Sequence, residues 1–120
     1  MKKAWLIFQA HVAFHLLRLR AALGDAKAQY MLGCHFDLGV GVNQDVNIAL
    51  TYYYKAAGKG NAEAQNALGS YYLNGTAVEQ SNQKAVYWYQ KAAAQGDAYA
   101  QYNLGNCYAC GWGVAKDKKK

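Results

Sequence analysis

Proline is missing altogether from the 120-residue chain. Inside a helix it would remove a hydrogen-bond donor and clash with the preceding turn, so its absence leaves room for long uninterrupted helices. Chain reversal then falls to the 12 glycines, whose positions prove regular. Cysteine is scarce as well: three copies cannot all pair, which argues against the disulfide framework of a small secreted domain. Acidic residues are few, seven against 13 basic ones, and the formal net charge is +6. That excess is local. Lys2, Lys3, Lys116, Lys118, Lys119 and Lys120 supply it, and residues 4–115 hold seven basic and six acidic residues. A phosphate-binding protein carries its basic stripe along a face of the fold, so nucleic acid is a minor candidate partner here.

What the chain does have is a period. Gly24-Asp25-Ala26-Lys27-Ala28-Gln29 returns as Gly60-Asn61-Ala62-Glu63-Ala64-Gln65 and as Gly96-Asp97-Ala98-Tyr99-Ala100-Gln101, 36 residues apart each time. Fourteen of 36 positions are identical between 24–59 and 60–95, and 12 of 22 between 24–45 and 96–117. The chain therefore divides as a single repeat domain, 1–120. Its parts are an N-terminal segment 1–23, repeat 1 at 24–59, repeat 2 at 60–95 and an incomplete repeat 3 at 96–120.

Each unit predicts two helices. Asp25, Asn61 and Asp97 are N-cap residue types, able to accept an orphan helix N–H. Ala28, Leu32 and Phe36, then Ala64, Leu68 and Tyr72, then Ala100, Leu104 and Tyr108 follow an i, i+4, i+8 spacing along one helical face. Gly39, Gly75 and Gly111 are suited to the left-handed C-terminal stop. A second helix carries Ala49, Tyr52, Tyr53, Ala56 and Ala57, repeated as Ala85, Trp88, Tyr89, Ala92 and Ala93, a broad apolar face. Gly33, Gly69 and Gly105 stand mid-helix, where glycine costs about 1 kcal/mol relative to alanine. Such a cost, repeated, implies close approach of the partner helix, with Tyr53 or Tyr89 filling the space. Units of this kind bury their faces only against one another, as in a solenoid.

The pattern Ala-x-Ala-Gln-x-x-Leu-Gly-x-x-Tyr-x-x-Gly, then Gly-x-Gly-Val-x-x-Asp, then Ala-x-x-x-Tyr-x-Lys-Ala-Ala resembles the Sel-1-like repeats, relatives of the tetratricopeptide repeats with a longer inter-helix loop. It is carried by Gln101-Tyr-Asn-Leu-Gly-Asn-Cys-Tyr-Ala-Cys-Gly111 and by Ala85-Val-Tyr-Trp-Tyr-Gln-Lys-Ala-Ala93, and it covers residues 24–117. The resemblance implies an all-α, right-handed superhelix of stacked hairpins and an adaptor role without shared catalysis. Repeat 2 departs from the pattern in its loop, where Thr76-Ala77-Val78 and Ser81 stand in place of Val40-Gly41-Val42 and Asp45. Alanine disfavours positive φ, so a different turn is expected there.

The two ends do not fit whole units. Trp5, Phe8, Val12, Leu16, Leu19 and Leu23 mark one helical face of the first segment, read as a degenerate second helix that caps the stack. The alternative is a cleaved signal peptide, against which stand Gln9 and His11 in the apolar run. The compartment stays open: the cytoplasm is slightly favoured, and a signal at 1–23 would place the protein in the periplasm or outside the cell. At the other end, repeat 3 stops where its second helix should begin. Its apolar Leu104, Tyr108 and Trp112 then predict a covering partner, self-association, or membership of a longer array.

Chemistry finds little footing. Cys107-x-x-Cys110 lacks the two further ligands of a zinc site and the βαβ context of a redox motif. His11 and His15 share a helical face without a third ligand, and no phosphate loop or nucleophile motif occurs. Tyr52-Tyr53-Tyr54 suggests base stacking, but two of the three recur at buried-face spacing. No enzyme activity, metal, cofactor or membrane span is expected.

Binding is expected on the first helices, which in tetratricopeptide-like stacks line the concave groove. The non-repeating positions there are Lys27, Tyr30, Cys34, Asp37 and Leu38 in repeat 1. Repeat 2 offers Glu63, Asn66, Ser70, Leu73 and Asn74; repeat 3 offers Tyr99, Tyr102, Asn106, Ala109 and Cys110. Lys27, Tyr30, Glu63, Asn66, Ser70, Asn74, Tyr99, Tyr102 and Asn106 are the candidate peptide-contacting residues. Asparagine amides offer donor and acceptor atoms to a peptide backbone, and tyrosines offer large area with few rotors.

Overall fold

The computed structural model describes residues 2–113 as six α-helices, with no strand among them. They are α1 (Lys2–Ala22), α2 (Ala26–Leu38), α3 (Val46–Gly58), α4 (Ala62–Asn74), α5 (Asn82–Ala94) and α6 (Ala98–Cys110). Helices α2 and α3 form one hairpin, α4 and α5 a second, and each helix packs on its neighbours in chain order. The result is a rod of 58 × 24 × 23 Å.

The caps fall where the period puts them. Asp25, Asn61 and Asp97 accept from the backbone N–H of Ala28, Ala64 and Ala100, and Gly39, Gly75 and Gly111 adopt the left-handed conformation. The recurrent glutamine has a structural task as well. Gln29, Gln65 and Gln101 donate through Nε2 to the carbonyls of Ala21, Ala57 and Ala93, at 3.0, 3.3 and 3.3 Å. Those carbonyls belong to the last turn of the preceding helix, where acceptors lack intrahelical partners. One side chain thus ties each unit to the one before it.

The core is a small-against-large interlock. Ala49, Ala56, Ala64, Leu68, Ala85 and Ala92 are fully buried, as are the rings of Tyr53 and Tyr89. A Cβ built on Gly33 would stand 2.5 Å from the Tyr53 ring, and one on Gly69 equally close to Tyr89. The expected close approach is therefore present in both complete hairpins. Gly105 differs: no atom of the described residues lies within 4 Å of the corresponding point.

Two expectations need correction. The loop of repeat 2 does not adopt a different turn. Ala77 takes φ 58°, beside 74° for Gly41, and so accepts a backbone region that costs an L-residue about 1–2 kcal/mol. The surrounding hydrogen bonds explain why. Ser81 N–H donates to the Tyr72 carbonyl at 2.9 Å, as Asp45 N–H does to Phe36, and Gln80 Nε2 reaches Leu73 as Gln44 reaches Asp37. Ser81 still caps the next helix through Lys84 N–H. The His35–Val40 bond and the second N–H accepted by Asp45 have no counterpart, but the backbone bonds and the glutamine tie recur, so the backbone keeps its path and Ala77 bears the strain.

The second correction concerns α1. It packs on α2 through Leu17 and Ala21, which meet Ala28 and Leu32, with Phe14 alongside. The stripe Trp5, Phe8, Val12, Leu16, Leu19 and Leu23 is exposed instead, Phe8 at 63%. Helical spacing identifies a coherent apolar face but not which neighbour, if any, covers it.

Candidate peptide-binding surface

First helices lie side by side in this stack, and α4 is tied to α6 by Asn103 Nδ2 donating to Asn66 Oδ1 at 3.0 Å. Between α2 and α4 runs an open groove of about 330 Å³. Four of the candidate residues line it: Tyr30 from α2, with Glu63, Asn66 and Ser70 from α4. The other five do not. Lys27, Asn74 and Asn106 are exposed outside it, and Tyr99 and Tyr102 stand out on α6 at 77% and 71% exposure.

Its floor is a cluster of tyrosine rings tied by hydrogen bonds to one carboxylate. Asp37 accepts two tyrosine hydroxyls, Tyr53 through Oδ2 at 2.9 Å and Tyr71 through Oδ1 at 2.7 Å. One carboxylate thereby joins α2, α3 and α4. The two rings meet edge to face with centroids 5.5 Å apart, and Tyr30 leans on Tyr53 at 5.9 Å. Burial pushes the Tyr53 and Tyr71 hydroxyls well above the ordinary tyrosine range, and the carboxylate they donate to pushes the same way. Tyr30 is raised by burial first and then by Cys34 beside it. All three remain neutral donors at physiological pH, so the fixed charge at the groove is negative: Asp37 below and exposed Glu63 at the edge.

Tyr53 and Tyr71 were not among the predicted groove residues. Tyr53 was read as core, which its ring is; its hydroxyl reaches the groove because a buried tyrosine O–H needs an acceptor. Tyr71 aligns with His35 and Cys107, so the repeat gave no pattern to find it by. In repeat 2 the acidic position is Leu73, and Tyr89 pairs with Ser70 at 2.8 Å instead. The aromatic run resolves as its period predicts, with Tyr53 buried, Tyr52 half-buried and Tyr54 exposed. Tyr54 shares a hydroxyl–hydroxyl hydrogen bond with Tyr72.

Cys34, Cys107 and Cys110 are free thiols; Cys107 is fully buried and Cys110 is exposed. Among the described residues no three His, Cys, Asp or Glu side chains gather as a metal would require, and no helix is long and apolar enough to cross a membrane.

The comparisons agree with this architecture. A protective antigen present in uropathogenic Escherichia coli strains, displaying an SLR fold, superposes with a TM-score of 0.83 at 40% identity, over 88% of this chain and 22% of that one. A Sel1 repeat protein from Oxalobacter formigenes gives 0.77 at 37% identity, over 86% of this chain and 77% of its own. The mitosis inhibitor nif1 of Schizosaccharomyces pombe is 42% identical over 48 residues, 40% of this chain and 7% of that protein. The chain thus spans only a small part of the nif1 protein and of the E. coli antigen. The Sel1 repeat is matched three times in succession, at residues 26–61, 62–97 and 98–120. With its matched repeats filling most of the sequence, the chain belongs to the Sel1 repeat family.

Proposed function

We propose that the chain is a non-catalytic scaffold that holds an extended peptide or protein segment against its first helices. The observation that carries this is the convergence of Tyr30, Glu63, Asn66 and Ser70 on one groove over the tied carboxylate of Asp37. Tyr30 offers a ring face, Glu63 an uncommitted acceptor, and the Asn66 amide hydrogens a donor, since its oxygen is engaged by Asn103. With Asp37 and Glu63 as the charges at the groove, a segment bearing lysine or arginine next to a flat apolar side chain fits best. Tyr99, Tyr102 and Asn106 on α6 extend the same row of first helices, and Lys27 and Asn74 flank it.

Selection from a peptide display library tests the reading. Enriched sequences should carry a basic residue, and Tyr30→Ser with Glu63→Gln should weaken them at least tenfold while helicity is unchanged. Enriched peptides indifferent to those changes, and to Asn66→Ala with Tyr102→Ala, would sink it.

A second reading has its own observation. Among the described residues nothing covers Gly105 on α6, beside Leu104, Tyr108 and Trp112, where both complete hairpins have an aromatic ring. Self-association through that face would make the chain an assembly module, compatible with a groove on the other surface.

A further inference from the structure

Both complete hairpins are closed alike. The second helix sets a fully buried alanine, Ala49 or Ala85, and a tyrosine, Tyr53 or Tyr89, against the first helix, the tyrosine lying on its glycine. Counting back one period of 36 from α3 places Ala10–Ala22 of α1 in the register of a second helix. Ala13 then corresponds to Ala49, Leu16 to Tyr52, Leu17 to Tyr53 and Ala21 to Ala57.

One side of α1 obeys that register fully. Leu17 and Ala21 meet Ala28 and Leu32 as Tyr53 and Ala57 meet Ala64 and Leu68. The side that would meet its own first helix is bare. Ala13 is exposed where its two counterparts are fully buried, and Leu16 is 54% exposed. With Trp5, Phe8, Gln9 and Val12 they form an open, mainly apolar groove of about 550 Å³. Helix α6 shows the converse: it is a first helix whose glycine has no described residue over it.

We propose that these faces are two halves of one hairpin, and that α1 of one copy docks on α6 of another, head to tail. The proposal rests on the self-association reading for α6 and adds the occupant. Register chooses it. Among the described residues α6 is the first helix with an uncovered glycine, and α1 is the helix in second-helix register with no first helix against it. Apart from Arg20, which is paired with Asp25, neither contact face carries a formal charge, so no unpaired ion is stripped of water on docking. Arg20 replaces the buried Ala56 but is drawn aside to Asp25 at 2.7 Å. The close contact is thus confined to Ala13, Leu16 and Leu17. Leucine fills the glycine slot less than tyrosine does, which suits a contact governed by concentration. Because the two surfaces differ the contact is heterologous, and because it would continue the step of the solenoid it builds open chains and not a ring.

Complementation between two full-length variants tests this. Ala13→Glu with Leu16→Glu blocks α1, and Gly105→Glu blocks α6, all at open positions. By light scattering, wild type should rise with concentration above its 13.2 kDa chain mass, and each variant alone should stay at that mass. Mixed in equal amounts, the variants should form a complex of twice that mass and no larger, since only one α1 face and one α6 face remain. Self-association of the α1-blocked variant would leave the α6 reading standing and overturn α1 as occupant. Self-association of the Gly105→Glu variant, or a mixture that stays monomeric, also overturns the proposal; a monomeric wild type at millimolar concentration overturns both readings. Should a glutamate variant lose helicity, Leu16→Lys and Gly105→Lys repeat the same comparison.

Discussion

Gly33, Gly69 and Gly105 occupy one position in three successive first helices, yet only two of them are pressed by a ring. At Gly33 and Gly69 the missing side chain is the space that Tyr53 and Tyr89 fill; at Gly105 the same absence faces none of the described residues. A glycine in mid-helix is unfavourable by itself, by about 1 kcal/mol. It becomes favourable only in a closed hairpin, where backbone and ring approach closely. In the head-to-tail assembly proposed above, Gly105 is the slot that a second copy would fill.

The largest expected effect breaks the closed hairpins. Tyr53→Ala and Tyr89→Ala each remove a fully buried ring and should cost about 3–5 kcal/mol, read from urea denaturation. Tyr53→Ala should be the worse of the two, because it also strips Asp37 of one donor, while the Tyr89 hydroxyl is paired with that of Ser70. Equal losses would show that the Asp37 tie adds nothing.

Next come the glycines themselves. Gly33→Ala and Gly69→Ala push a methyl group to 2.5 Å from a ring and should destabilise by about 1–3 kcal/mol, the usual cost of overpacking. Gly105→Ala in the dilute monomer should instead gain up to about 1 kcal/mol from helix propensity. A loss at Gly105 comparable with the other two, under dilute conditions, would mean that its face is already covered within one chain.

Much of this was legible in the sequence because repetition makes each structural device visible more than once. The caps at Asp25, Asn61 and Asp97, the glycine stops and the small-against-large pairs all recur at 36 residues, and helices, boundaries and core follow from them. Variation at first-helix positions, the opposite signal, named nine candidate residues, of which four line one groove. What escaped were features that occur once. The Asp37–Tyr71 bond joins residues 34 apart in a pairing that no other unit repeats. The bare side of α1 escaped because apolar spacing gives a face, and only packing says what meets it.

The loops offer a finer contrast. Gly41 and Ala77 hold equivalent left-handed positions, one without strain and one with it. Ala77→Gly should gain about 1 kcal/mol or somewhat less, because relief of strain is offset by a more flexible unfolded chain. Gly41→Ala should lose a similar amount, seen as opposite shifts in the urea midpoint. A stabilising Gly41→Ala would mean that the first loop can leave its turn where the second cannot.

The smallest effect separates the N-caps of the first two hairpins. Asp25 and Asn61 cap their helices through the same backbone N–H, but only Asp25 can lose its charge. The Arg20 guanidinium, bonding Oδ2 through two nitrogens at 2.7 and 3.0 Å, holds that carboxyl below its ordinary value, helped by the Ala28 N–H. A carboxyl depressed in the folded state contributes stability that is fully present above its unfolded pKa of about 3.9 and is lost as pH falls through the folded value. The pair is on the surface, so the effect is small and screened by salt. Carboxyl-carbon NMR should give Asp25 a midpoint below 3.8, moving up toward that value in Arg20→Gln. Asp25→Asn should keep the cap, as Asn61 does, and lose that part of the acid sensitivity. An unchanged Asp25 midpoint in Arg20→Gln would assign the depression to the cap alone and make the two N-caps alike.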